Sequence, residues 1–225
     1  MKYLFLSVLT SVILLSCGPS KFVEPIAHKQ ISIGGHFGGP TLDYGAPIPL
    51  PITALELGYG LDTNVTIFGG LHTTAILFGN LQMDFGATFK VYEQKKYVPN
   101  LSVTPGFNFI YSFSGATGKF WPTIDANAFW NYGSRKSYFY AGVNNYFELS
   151  STMANNQPQS KHWLFNPQIG HVLKGKNGHG QLTTEIKWLG PNLNNDYAFI
   201  PYSTPHGSQG AIGIYLGYRW LIKNK

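Results

Sequence analysis

Leu81-Gln82-Met83-Asp84-Phe85-Gly86-Ala87-Thr88-Phe89-Lys90-Val91 sets an apolar residue at every odd position and a polar, charged or small one at every even position. Successive side chains of a strand point to opposite faces, so this period of two predicts a strand with one greasy and one polar side. The end of the chain repeats the pattern, with Ile212, Ile214, Leu216, Tyr218, Trp220 and Ile222 opposing Ala211, Gly213, Tyr215, Gly217 and Arg219. Working back from these two, the same alternation runs through Ile31–Phe37, Leu55–Tyr59, Val65–Leu71, Val103–Tyr111, Ile124–Trp130, Phe139–Leu149, Trp163–Ile169 and Leu182–Trp188. No segment holds helical spacing. The pattern predicts about ten strands (roughly 8 to 12), several near the 9 to 11 residues that a tilted strand needs to cross a bilayer.

Composition narrows the class. The 225 residues carry 12% charged and 16% aromatic side chains, against about 25% charged in an average soluble domain. That excludes ordinary disorder. The 26 Gly and 14 Pro show no fixed period, which excludes collagen-like and solenoid arrays. The formal charge of +6 comes from separated basic pairs with no dense Lys/Arg stripe, so no nucleic-acid partner is expected.

Alternation alone fits either a soluble sandwich with its apolar face inward or a membrane barrel with that face outward. Three features favour the barrel. The strand charges Glu56, Asp84, Lys90, Asp125, Glu148, Lys174, Glu185, Lys187 and Arg219 all fall on the polar parity, as lipid demands, since a lipid-facing charge costs about 2–4 kcal/mol at the bilayer midplane. The polar face is rich in Gly, Ala, Asn, Thr and Tyr, which suits a narrow lumen better than a solvated surface. Aromatic residues recur near segment ends, as in Phe120-Trp121, Trp130, Tyr132, Trp163, Trp188, Tyr218 and Trp220, where interfacial girdles are expected.

Connection lengths agree. Residues 38–51, 72–80, 150–161 and 190–208 are long, whereas Asp62-Thr63, 133–136 and 175–178 are tight and fall between them, so one rim carries loops and the other turns. Residues 114–119 are short for an outer loop, and 93–100 are long for an inner turn. An even strand count places both termini on the short-turn rim. Eight of the fifteen Lys and Arg after Lys2 collect there: Lys95, Lys96, Arg135, Lys136, Lys174, Lys176, Lys223 and Lys225.

At the amino end, Lys2 precedes an uncharged run from Tyr3 to Leu15, too short to span a membrane as a helix and built like a signal peptide. It ends Leu14-Leu15-Ser16-Cys17, with the chain's single cysteine last. This resembles the lipobox of bacterial lipoproteins, which implies cleavage before Cys17 and acylation of that residue; a plain secretory peptide with a stray cysteine is the alternative. Residues 1–16 are thus expected to be the signal, 17–28 a lipidated tether and 29–225 the barrel. With one Cys no intramolecular disulfide is possible.

Over residues 29–222 the chain resembles the small outer-membrane β-barrels of Gram-negative bacteria. The resemblance implies an all-β fold, an antiparallel up-and-down transmembrane β-barrel, in the cell outer membrane, here anchored through Cys17 on the periplasmic side. It departs from that pattern by ending Leu221-Ile222-Lys223-Asn224-Lys225, where many such barrels finish on an aromatic residue; Trp220 is the nearest substitute.

The chemistry-bearing residues point away from an enzyme. No Gly-x-Ser-x-Gly, Asp-x-Asp or His-Glu-x-x-His motif occurs, no catalytic residue or cofactor is assigned, and no residue set has metal spacing. His36 lies on the lumen parity, where it could pair with Glu56 or Glu148; His72 lies in a connection; His179 and His206 flank glycines in turns. About ten strands enclose little beyond side chains, so opposite charges inside are expected to pair. The expected lumen network comprises Glu56, Asp84, Lys90, Asp125, Glu148, Glu185, Lys187 and Arg219, with Glu185–Lys187 and Asp84 with Lys90 or Arg219 as pairs. The expected partners are outer-membrane lipids and, through loops 38–51 and 190–208, an extracellular glycan or protein. A rim enzyme acting on lipid or peptide through His36 or His206, and a soluble tethered β-domain holding an apolar ligand, are the alternatives.

Overall fold

The computed structural model describes residues 22–152, 158–195 and 200–222. The expected Cys17 site and the signal lie outside these residues. Ten long strands follow one another around a closed sheet: β1 (Ile31–Asp43), β3 (Thr53–Asp62), β4 (Val65–His72), β5 (Asn80–Tyr92), β6 (Asn100–Ser112), β7 (Thr117–Tyr132), β8 (Ser137–Phe147), β9 (Trp163–Lys174), β10 (Gly180–Asn194) and β11 (Gln209–Ile222). Each pairs antiparallel with its neighbour in sequence, and β11 returns to β1 from Ile31↔Ile222 to Pro40↔Gly213. A strand edge in hydrocarbon leaves backbone N–H and C=O groups unpaired, so closure is the condition for a sheet to live there. The short β2 (Pro47–Pro49) pairs with the end of β1 above the barrel, and one helix, α1 (Thr73–Leu77), sits in the β4–β5 connection.

The orientation of the faces is as the parity predicts. Outward side chains such as Leu57 (59% exposed), Ile169 (60%) and Trp220 (47%) are left exposed, while inward Asn108 (0%), Glu185 (2% for the whole residue) and Lys187 (2%) are buried. This inverts a soluble core. Apart from Asp43 in the strap beyond the barrel and Asp62 at the turn end of β3, where a bulge pairs it with the outward Val65, no Asp, Glu, Lys or Arg among the described strand residues takes the outward parity. Outward polar groups are satisfied locally: Trp130, Trp163 and Trp188 donate their indole N–H to Tyr97 O, Asn145 Oδ1 and Gln209 O at 2.9–3.1 Å. The outward His171 stacks on Phe139 at 4.4 Å and meets the Tyr132 hydroxyl at 2.7 Å. One girdle expectation is corrected: Trp121 faces inward and is 6% exposed, because its indole bonds the buried Glu148 carboxylate.

Loops and turns segregate as expected, and the two poor fits remain in their places. The β6–β7 connection is short on the loop rim, and the β5–β6 connection is long on the turn rim.

Candidate functional site: a plugged polar lumen and a joined outer rim

The short-turn mouth is closed by the chain itself. Residues 22–28, expected to be tether, instead fold into the barrel: Phe22, Val23 and Ile26 are 1%, 2% and 4% exposed. The correction has a physical cause. In Gly18-Pro19-Ser20-Lys21-Phe22-Val23-Glu24-Pro25-Ile26-Ala27-His28 the three apolar side chains find an inward surface left open by small residues. A Cβ on Gly58 would lie 2.4 Å from the Phe22 ring, and one on Gly60 would lie 2.0 Å from Ala27 O. Strand hydroxyls satisfy the plug backbone: Thr88 donates to Phe22 O (2.8 Å), Ser102 to Val23 O (2.7 Å), and Thr66 accepts from Ile26 N (2.9 Å). Val23 packs with Phe129, Tyr138, Tyr140 and Val172, while Phe22 and Ile26 pack with Leu221 and Phe68. Glu24 ion-pairs with Lys174 and accepts from Asn131 Nδ2 at 3.3 Å.

Above the plug lies the charged layer. Glu185 and Lys187 pair at 3.4 Å as expected, and Tyr140 donates to the other Glu185 oxygen at 2.6 Å. Arg219 pairs with Glu56 at 3.2 Å and covers the Phe22 ring at 4.2 Å. Asp84 differs from expectation. Its carboxylate takes His72 Nε2 and Asn108 Nδ2, each at 2.5 Å, in place of Lys90 or Arg219. Period two fixed its face but not the register of β4 on β5, which sets Asp84 opposite Gly70 and so diagonal to His72 at the end of β4. His36 meets neither Glu56 nor Glu148; its ring lies edge-on to His72 at 6.1 Å between centroids. Asp125 accepts from Asn144, and Gln168 donates to Asn127 Oδ1 at 2.8 Å. A cavity of about 40 Å³, lined by Asp84, Asp125, Asn144, Lys187 and Thr104 with Phe68, Phe85 and Phe107 beside them, has room for one or a few waters.

Two expected network members stand at the rims. Lys90 is half-buried toward the turn end of β5 and joins no ion pair among the described residues. Glu148 follows β8 at the loop rim, where it accepts from Trp121 Nε1 (2.9 Å), Ser150 N (2.7 Å) and Lys119 Nζ (3.3 Å). Burial pulls the Glu148 pKa upward, but the Ser150 N–H, the Trp121 indole and the Lys119 charge outweigh it and hold the carboxyl below its ordinary value. A depressed folded pKa stabilises the fold above the unfolded value of about 4.3, and that contribution fades as pH falls through the folded value. Glu148→Gln is therefore expected to lower the urea midpoint at neutral pH and to match the parent in strong acid; a constant difference across pH removes this role.

The described parts of the two long loops, 38–51 and 200–208, are joined. Leu42 bridges Tyr202, Asp43 N donates to Pro201 O (2.8 Å), Ser203 N to Thr41 O (2.9 Å) and Thr41 Oγ1 to Ile212 O (2.9 Å). Tyr202 packs on Leu189, Ala211 and Tyr215, so this side of the outer mouth is covered. Tyr44 and Ile48 are left exposed on the strap. Of the turn histidines, His206 is exposed, whereas His179 is held by Leu221 O (2.8 Å) and stacks on Trp220.

No family model and no curated protein matches the sequence. Among solved structures, the chain is similar to the transport unit of the autotransporter AIDA-I from Escherichia coli, with a TM-score of 0.40 and 11% identity over 99% of this chain and 97% of that one. The barrel assignment rests on the strand register above and not on this likeness.

Proposed function

We propose that this chain is an outer-membrane protein of a Gram-negative cell, exported through residues 1–16 and held on the periplasmic side by acyl chains on Cys17. Its barrel is a sealed scaffold, and its joined outer loops present a binding surface for an extracellular glycan or protein. The observation that carries this reading is the inverted burial: an uncharged apolar exterior around a polar lumen filled by its own side chains. A filled lumen plugged by Phe22, Val23 and Ile26 leaves little for transport. The exposed part of the joined loops includes Tyr44, Ile48 and His206.

The soluble-domain alternative loses support, since its ligand would need an apolar interior. One geometry favours the enzymatic alternative, the His72–Asp84 contact beside His36. The proposal gives that pair a structural role, because it lies buried in the filled lumen. In cells fed labelled palmitate, the protein is expected to take up label, to lose it on Cys17→Ala, and to migrate faster on a detergent gel when unboiled. It is also expected to give no conductance steps in a planar bilayer. A label that survives Cys17→Ala removes the anchor, stable conductance removes the seal, and phospholipid or peptide hydrolysis abolished by His72→Ala or His36→Ala removes the non-enzymatic reading.

A further inference from the structure

The β5–β6 connection, residues 93–99, is longer than a turn on this rim requires, and it is rigidly built. Gln94 accepts from Asn131 N (2.7 Å) and donates to Asn131 O (3.4 Å), while Asn100 Oδ1 takes Gln94 N (2.9 Å). Lys95 and Val98 exchange backbone hydrogen bonds at 3.0 and 3.1 Å, and Lys96 at the tip adopts φ 53°. Trp130, on the outward face of β7, donates its indole N–H to Tyr97 O at 3.1 Å. The tip is therefore drawn across the outer wall of the barrel and not beneath its mouth. It leaves Tyr97 92% and Val98 50% exposed, continuous with the outward Leu101, Trp130 and Tyr132. The Lys95 ammonium stands 6.0 Å from the Tyr92 ring centroid, Lys96 is beside it, and Arg135 and Lys136 occupy the next turn along this rim; Glu93 is the one acid in the connection.

We propose that this tip is a foot in the inner-leaflet interface, with Tyr97 and Val98 in the headgroup–acyl boundary and Lys95 and Lys96 on the phosphate of an anionic phospholipid. An almost fully exposed aromatic side chain and a half-exposed apolar one beside a lipid-facing wall are costly in water and suited to that boundary. Lys95 and Lys96, exposed on the same tip, supply the complementary charge. The inference rests on the membrane-barrel reading, and its test separates the two.

Spin labels are placed at residue 97 and, separately, at residue 169, on the full mature chain carrying Cys17→Ser, refolded into phosphatidylethanolamine/phosphatidylglycerol vesicles. Both labels are expected to be relaxed by lipid-soluble oxygen, with that at 97 shallower. Native mass spectrometry of the unlabelled chain is expected to show preferential retention of phosphatidylglycerol over phosphatidylcholine, and Lys95→Gln/Lys96→Gln to reduce that preference about tenfold. A label at 97 reached only by a water-soluble relaxant, with 169 still in hydrocarbon, overturns the foot and leaves the barrel. Water access at both positions overturns the barrel. An unchanged lipid preference in the double variant overturns the phosphate contact.

Discussion

Arg219→Met is expected to cost about 3–5 kcal/mol of folding stability, the usual consequence of removing one member of a buried ion pair. Arg219 and Glu56 meet at 3.2 Å with side chains 7% and 5% exposed. With the guanidinium gone, the Glu56 carboxylate stays buried above the plug with its cation removed, and Phe22 loses the charge over its ring. The larger part of the cost is the stranded charge and not the lost attraction. Glu56→Leu/Arg219→Met should therefore recover most of the loss, as apolar replacements of whole buried pairs tend to. Urea titration in vesicles, read by heat-modifiable migration, measures both variants. A single variant within about 0.5 kcal/mol of the parent, the range of ordinary surface changes, would show that water reaches Glu56.

Phe22→Ala is the second large effect, at about 3–5 kcal/mol, the range for truncating a buried aromatic side chain. Phe22 is 1% exposed and lies 5.7 Å from the Phe68 ring, against Ile26, Leu221 and Arg219. Gly58→Val tests the same contact from the strand side, because its branched side chain would occupy the space of the ring. Tyr44→Ala on the outer strap is the control: that residue is largely exposed, and its loss should leave the urea midpoint near the parent. If Phe22→Ala behaves like Tyr44→Ala, the amino-terminal segment is not a plug.

The plug was hidden in the sequence. Pro19, Pro25 and the lack of a period in residues 18–28 read as linker, although Phe22, Val23 and Ile26 stand out in a polar stretch and Gly58 and Gly60 leave matching gaps on an inward face. The signal was the pairing of the two, and neither half has meaning alone. His72 was hidden for another reason. It lies at the end of a weakly alternating strand, where the last inward position is indistinguishable from the first loop residue.

What the sequence determined was the face of every strand and the rim of every connection. Period two is exact in a strand, so one charged residue such as Asp84 or Lys187 fixes the orientation of all its neighbours, and lipid tolerates no exception. What only the tertiary structure decided was which inward groups meet. Positions equivalent in parity differ in height and in angle around a closed, sheared sheet. The partners Glu56 and Arg219 are therefore set by closure, His72 and Asp84 by the register of β4 on β5, and Phe22 and Gly58 by the return of the amino-terminal segment into the mouth, none of which a local pattern encodes.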